Sequence, residues 1–168
     1  MVKNINFSNL DIRIEENDNE AIFWFNGDVD ENFRQEVVPR IKKDRITFEL
    51  ENINNFNSCG IREWIYLIRD ISKLGELVFR KCSVIMIDQI NLVPDSLGTG
   101  TIESFYAPYY CECSGEVSRL INVNDSIHDL NNKTAPIFHC DKCKSELEFD
   151  ALEESYFLFA NKALPKVG

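Results

Sequence analysis

Six cysteines constrain this chain more than any other residue type, because four of them stand in two close pairs, Cys111-Glu112-Cys113 and Cys140-Asp141-Lys142-Cys143. Sulfurs spaced in this way close disulfides, hold a metal or pack as small apolar groups. The opening Met1-Val2-Lys3-Asn4-Ile5-Asn6 lacks the apolar core of a secretory leader, and no apolar run approaches the roughly 18–20 residues of a membrane helix. The expectation is therefore a cytoplasmic protein without membrane insertion, where a disulfide framework is disfavoured. Two thiolate pairs joined by residues 114–139 fit a tetrahedral, structural Zn2+ site made of Cys111, Cys113, Cys140 and Cys143. Four protein ligands leave no open position for water or substrate. The second pair has the usual C-x-x-C spacing and the first is one residue tighter, which an extended strand accommodates because residues i and i+2 share a face. His128 and His139 are the substitute ligands if geometry excludes a cysteine. The bland alternative is four reduced thiols with no metal. Cys59 and Cys82 are expected as small buried hydrophobes.

Composition and charge narrow the function. With 44% hydrophobic and 27% charged residues, the 168-residue chain can build a packed core, sufficient for one domain and a small appendage. Its net charge is −10, and the acidic excess lies on both sides of residue 110, so no part is a basic arm. That field repels phosphate backbones, which argues against a nucleic-acid partner and favours a basic patch on a protein partner. No acid–base pair, nucleophilic triad or nucleotide-phosphate loop can be assembled, so the chain is not expected to be an enzyme.

Periodicity supplies the elements. Leu10, Ile12 and Ile14 alternate with polar neighbours, and Ala21–Phe25 is β-branched or aromatic, which predicts two strands joined by the acidic turn 15–20. Asp30 is placed to cap a helix over 31–43, with Phe33, Val37, Val38 and Ile41 inward and Pro39 inside it. Arg45–Leu50 alternates as a strand, residues 51–57 read as a polar turn, and Ile61, Trp64, Ile65, Ile68 and Ile71 mark one face of a helix. Ser83–Ile87 reads as a buried parallel strand. A strand emerges from the second cysteine pair around Leu147 and Phe149, and Leu152, Tyr156 and Phe159 predict a last helix over 151–161.

Phe48-Glu49-Leu50, Ile53, Phe56 and then Asn57-Ser58-Cys59-Gly60-Ile61 resemble the signature of STAS domains, the family of bacterial anti-sigma factor antagonists. Gly27-Asp28-Val29-Asp30 is similar to the turn that precedes the first helix of that family. The likeness runs over roughly residues 8–105. It implies an α/β fold, a STAS-like mixed β-sheet flanked by helices, over residues 1–105. Residues 106–150 would then form a zinc-bound β-hairpin or ribbon extension, and 151–168 a terminal helix packed back on the sheet. The alternative is a separate ribbon module over 106–168.

The resemblance also implies a non-enzymatic regulatory module that binds a protein partner around Asp28, Asp30, Asn57, Ser58 and Arg62. In the family the serine matching Ser58 is phosphorylated by a partner kinase that is itself an anti-sigma factor, and the added charge releases the partner. Asn57 stands where the antagonists usually carry aspartate. Read from the residues alone, Ser58 is an N-cap of the helix that follows, and the cysteine segment of such a protein serves as a constitutive adaptor surface.

Overall fold

The computed structural model describes residues 1–164. β1 (Val2–Asn6) has Ile5 as its single buried residue, so its sequence carries no alternation to read. β2 (Leu10–Glu16) and β3 (Glu20–Val29) form the expected hairpin, with Ile12 opposite Phe25 and Ile14 opposite Phe23. Each pair sends apolar side chains to one face while Asp11 and Arg13 point away.

The helix expected over 31–43 does not form. Asp30 turns its carboxylate onto the Asn32 N–H (2.8 Å) and the Asn9 carboxamide (2.6 Å), which closes a local turn in place of a helix cap. One 3₁₀ turn, Gln35–Val37, follows before Pro39. The Arg40 guanidinium then takes the Gln35 and Val38 carbonyls, groups that an α-helix would have bonded internally. Phe33 and Val38 reach the core from this irregular segment, and Val37 is 53% exposed.

β4 (Arg45–Phe56) runs parallel to β3 and continues through the stretch expected as a turn. Register shifts after Trp24 and Gly27 let the end of β3 keep pairing with Ile53, Asn55 and Phe56. α1 (Ser58–Ile71) buries Trp64, Leu67, Ile68 and Ile71 as its periodicity requires. The next strand is β5 (Glu76–Arg80), parallel to β4, and Ser83–Ile87 belongs instead to α2 (Val84–Leu92). Ser83 caps that helix, its hydroxyl accepting from the Met86 N–H at 3.2 Å, and a short apolar run has no periodicity to tell the two structures apart. β6 (Thr101–Ile102) completes a six-stranded mixed sheet in the order β1-β2-β3-β4-β5-β6. Its core is aromatic: Trp64 lies edge-on to Phe25, Phe48 and Phe79, with centroids 5.1–6.3 Å apart. The indole N–H is satisfied by the Ser96 carbonyl at 2.9 Å.

β7 (Ser104–Cys111) and β8 (Gly115–Asn122) form a second hairpin, α3 (Ile127–Asn131) lies in the connection, and β9 (Glu148–Phe149) pairs on the other side of β7. Cys82 stitches the sheets together, donating its N–H to the Ser104 carbonyl and accepting from the Tyr106 N–H. The expected last helix is divided into α4 (Glu153–Tyr156), a 3₁₀ turn at Phe157–Phe159 and α5 (Ala160–Ala163). The break lets Tyr156, Phe157 and Phe159 all be buried, whereas Leu152 is 78% exposed. This segment packs on α2 and on Phe105, with Asn91 bonding the Tyr156 carbonyl and the Phe159 N–H. The buried side chains of both sheets form one continuous cluster. The last four residues of the terminal segment expected over 151–168 lie outside the described residues. No described helix is long and apolar enough to cross a membrane.

Candidate functional site

The four paired cysteines converge. Cys111 ends β7 and Cys113 sits in the tight turn between β7 and β8, so the short first spacing is bridged by a hairpin turn where an extended strand was expected. Cys140 and Cys143 lie on the loop before β9, which folds over as a knuckle. The Cys140 N–H bonds the Ser145 carbonyl at 2.8 Å, and the Lys144 N–H bonds the Cys140 carbonyl at 3.0 Å. Lys144 takes φ +64° to make that turn, a conformation usually given to glycine.

All four Sγ atoms lie within 4.8 Å of one another. Cys111 is 3.4 Å from Cys143 and 3.6 Å from Cys113, and Cys113 is 3.5 Å from Cys140. A tetrahedral ion with metal–sulfur bonds of about 2.3 Å requires sulfurs about 3.8 Å apart. The cluster therefore has the size and donor set to hold a metal ion. Cys111 and Cys140 are buried and Cys113 and Cys143 exposed, so the site sits at the surface with two sulfurs facing inward. Neither His128 nor His139 belongs to the cluster: both are exposed, and His128 faces Asn132.

The surroundings favour negative sulfur at Cys140 and Cys143. The Cys143 N–H, the Ser114 hydroxyl and the Lys142 N–H bring the Cys140 thiol down to about 5. The Ser145 hydroxyl, 2.8 Å from Cys143, lowers that thiol as well. Cys113 is pushed up to about 12, first by its hydrogen bond with Cys143 and then by those with Cys140 and Cys111. Four sulfurs at this spacing cannot all be negative without a cation, so a metal that binds them displaces whatever protons they retain. Arg119 of β8 braces the knuckle, reaching Asp141 at 3.1 Å and the His139 carbonyl at 3.3 Å. Sequence reading missed Ser114, Ser145 and Arg119. A hydroxyl one residue after Cys113 and two after Cys143 is the signal that would have found the first two.

The second place of interest is the start of α1. Asn57 is the N-cap, its side-chain oxygen accepting from the Gly60 N–H at 2.9 Å, and Ser58 is the first helical residue. The cap expected of Ser58 thus belongs to its neighbour, and the Ser58 hydroxyl is left exposed outside the cap. Gly60 is dictated by packing, since a Cβ there would lie 1.8 Å from the Val29 carbonyl oxygen. That close approach sets the end of β3 against the first turn of α1. Asp30, buried there, has its carboxyl held below the usual range chiefly by the Asn9 side chain. Asp28 is half-buried, and Glu31 accepts from the Asn57 carboxamide. Ser58, Arg62, Tyr66 and Arg69 form one exposed stripe along α1, continued by Lys73. The stripe is basic although the chain is acidic, and the Arg69 guanidinium lies 5.5 Å from the Tyr66 ring centroid. Cys59, expected to be buried, is exposed in this turn, whereas Cys82 is fully buried and its thiol is pushed up by desolvation.

No protein-family model, no curated protein and no solved structure matches the chain.

Proposed function

We propose that this chain is a non-enzymatic regulatory module of the STAS type. It binds a protein partner through the surface of Asp28, Asn57, Ser58 and Arg62, with buried Asp30 holding the turn beneath them, and carries zinc as a structural ion on its four cysteines. The observation that carries the reading is the exposed Ser58 hydroxyl at the N-terminus of an amphipathic helix, one turn before Arg62. Support for the fold assignment comes from the β2–β3 hairpin, the parallel strands β3, β4 and β5, and a helix starting where β4 ends. The zinc assignment is supported by an all-sulfur donor set, which suits a borderline-soft tetrahedral ion better than hard cations.

The switch follows from charge. A partner kinase moves the terminal phosphoryl group of its ATP to Ser58 Oγ and leaves ADP. The product carries about −1.5 to −2 charges. That charge falls one helical turn before Arg62 and next to Asn57, which holds the Glu31 carboxylate at the same turn. A partner that docks on both the acidic turn and the basic stripe then meets an altered surface, and the complex dissociates.

Affinity capture from native lysate with the unmodified protein and Ser58→Asp tests this reading. A partner retained by the first and lost by the second is the expected result. Equal retention overturns the switch and favours a second reading, a constitutive adaptor with a structural metal. One observation favours that alternative: Asn57 already closes the turn by bonding both the Gly60 N–H and Glu31.

A further inference from the structure

The edge of a sheet is where main-chain donors and acceptors remain to be shared. Among the described residues the edges are β1 and β6 in the large sheet and β8 and β9 in the small one. β6 and β9 are each two residues long, and β1 carries Lys3, a charge that discourages pairing. β8 differs from all three. It spans eight residues, Gly115–Asn122, and contains neither proline nor lysine. Its register with β7 is unbroken from Cys111 opposite Gly115 to Ser104 opposite Asn122, so no bulge turns the edge away.

The partners of β7 fix the direction of each main-chain group. The Pro108 carbonyl accepts from the Asp150 N–H, the Tyr106 N–H donates to the Cys82 carbonyl, and the Ser104 carbonyl accepts from the Cys82 N–H. Even-numbered residues of β7 therefore look away from β8, and the odd-numbered Phe105, Ala107 and Tyr109 bond Ile121, Arg119 and Val117. That leaves the N–H and C=O groups of Glu116, Ser118 and Leu120 directed outward, and no other described strand or bridge pairs with them. Leu120 adds an apolar side chain that is 37% exposed on this edge. The Arg119 side chain does not guard it, being engaged by Asp141 and the His139 carbonyl of its own chain.

We propose that β8 pairs antiparallel with β8 of a second copy of this chain, joining two three-stranded sheets into one across a two-fold axis at Ser118. An edge of alternating donors and acceptors is complementary to itself when turned end for end. Charge and length select the centre. With the axis at Ser118 all three outward residues are used: Ser118 faces its counterpart, Glu116 faces Leu120, and no like charges stand directly opposite. An axis at Arg119 sets the two arginines against each other, and one at Val117 sets Leu120 opposite Ser114, beyond the end of the strand. The Ser118 register also lays each Leu120 beside the other copy's Glu116, at the rim of the hollow that Val84, Pro108 and Tyr156 line. Pairing over 115–121 is smaller than a standard interface, so the dimer is weak and forms as concentration rises. The inference does not rest on the function proposed above.

Sedimentation velocity of the full chain saturated with Zn2+, over a wide range of concentration, tests it. A monomer–dimer equilibrium is expected. Ser118→Pro removes the central outward N–H without touching the ladder to β7, and should abolish the dimer while Trp64 emission stays native. Leu120→Lys sets opposite charges across the axis twice and Leu120→Glu sets like charges there twice. The lysine variant should therefore dimerise about fourfold or more tightly than the glutamate variant. The same two substitutions at exposed Val37, away from the edge, should behave alike in buffer whose salt screens distant charges. A monomer at every concentration overturns the proposal and leaves the edge to a strand from a different protein. A dimer that survives Ser118→Pro places the contact elsewhere. Equal dimerisation of the two Leu120 variants, or an equal split between the two Val37 variants, also overturns it, and this comparison decides the matter if Ser118→Pro loses its native emission.

Discussion

Around Trp64 the chain buries five aromatic rings against one another, whereas from residue 139 to 146 every side chain except Cys140 is exposed. The first region is held by apolar contact spread over several strands and a helix, each aromatic pair adding about 0.5–1.5 kcal/mol beyond its burial. The second has little apolar surface to hide and relies on four sulfurs, a few hydrogen bonds and the Arg119 brace. Stability distributed over many contacts degrades by degrees when one is removed. Stability concentrated in one centre is lost together with it.

The sharpest break of that contrast is to remove the centre. Structural zinc in small peptides contributes about 10–16 kcal/mol of apparent binding free energy at neutral pH. Cys140→Ser should therefore abolish a metal content of one ion per chain, measured by plasma emission. Amide exchange should rise at 139–146 and at the 111–115 turn, while Trp64 emission stays native. Global unfolding of this variant would show that the two regions are not separable.

Phe48→Ala is the converse. Truncating a buried phenylalanine costs about 3–5 kcal/mol, so its urea midpoint should drop sharply while the metal content of the folded fraction is retained. Loss of metal under native conditions would mean that the cysteine end depends on the aromatic core.

Smaller effects sharpen the comparison within each region. Asn57→Ala removes the α1 cap and should cost about 1 kcal/mol in chemical unfolding. An unchanged midpoint would argue that Ser58 takes over the cap. Lys144→Gly relieves a left-handed lysine and should stabilise the knuckle by up to about 1 kcal/mol. Slower metal release to a chelator is its readout, and faster release would show that the lysine side chain contributes more than its backbone costs.

What was legible in the sequence follows the same divide. The β2–β3 hairpin and α1 announce themselves because each is buried on one side only, which imprints period 2 or period 3.6 on the residues. The cysteine cluster was legible through spacing alone, since two pairs of sulfurs need no knowledge of the path between them. Where burial is complete, as in Leu77–Phe79, the imprint vanishes, and the apolar run that opens α2 is too short to show a period even though Ile85 is exposed beside buried Met86 and Ile87. Residues 31–43 show the opposite failure: a helical spacing of apolar residues was present, yet Pro39 and the Arg40 bonds to nearby carbonyls made an irregular path available. The Ser58 cap was missed by one residue because asparagine and serine serve that position equally well.

The order of the two sheets along the chain has a consequence in time. Every strand of the six-stranded sheet is complete by Ile102, and the last sulfur of the cluster is Cys143. At about 5–20 residues per second, synthesis reaches Cys143 about 2–8 s after Ile102. All the strands of the large sheet are therefore available before the metal site can close. A metal ion held by these four sulfurs would be captured by a chain whose larger sheet has already had time to form, and a ribosome that stalls between these points leaves that sheet without its cysteine clasp.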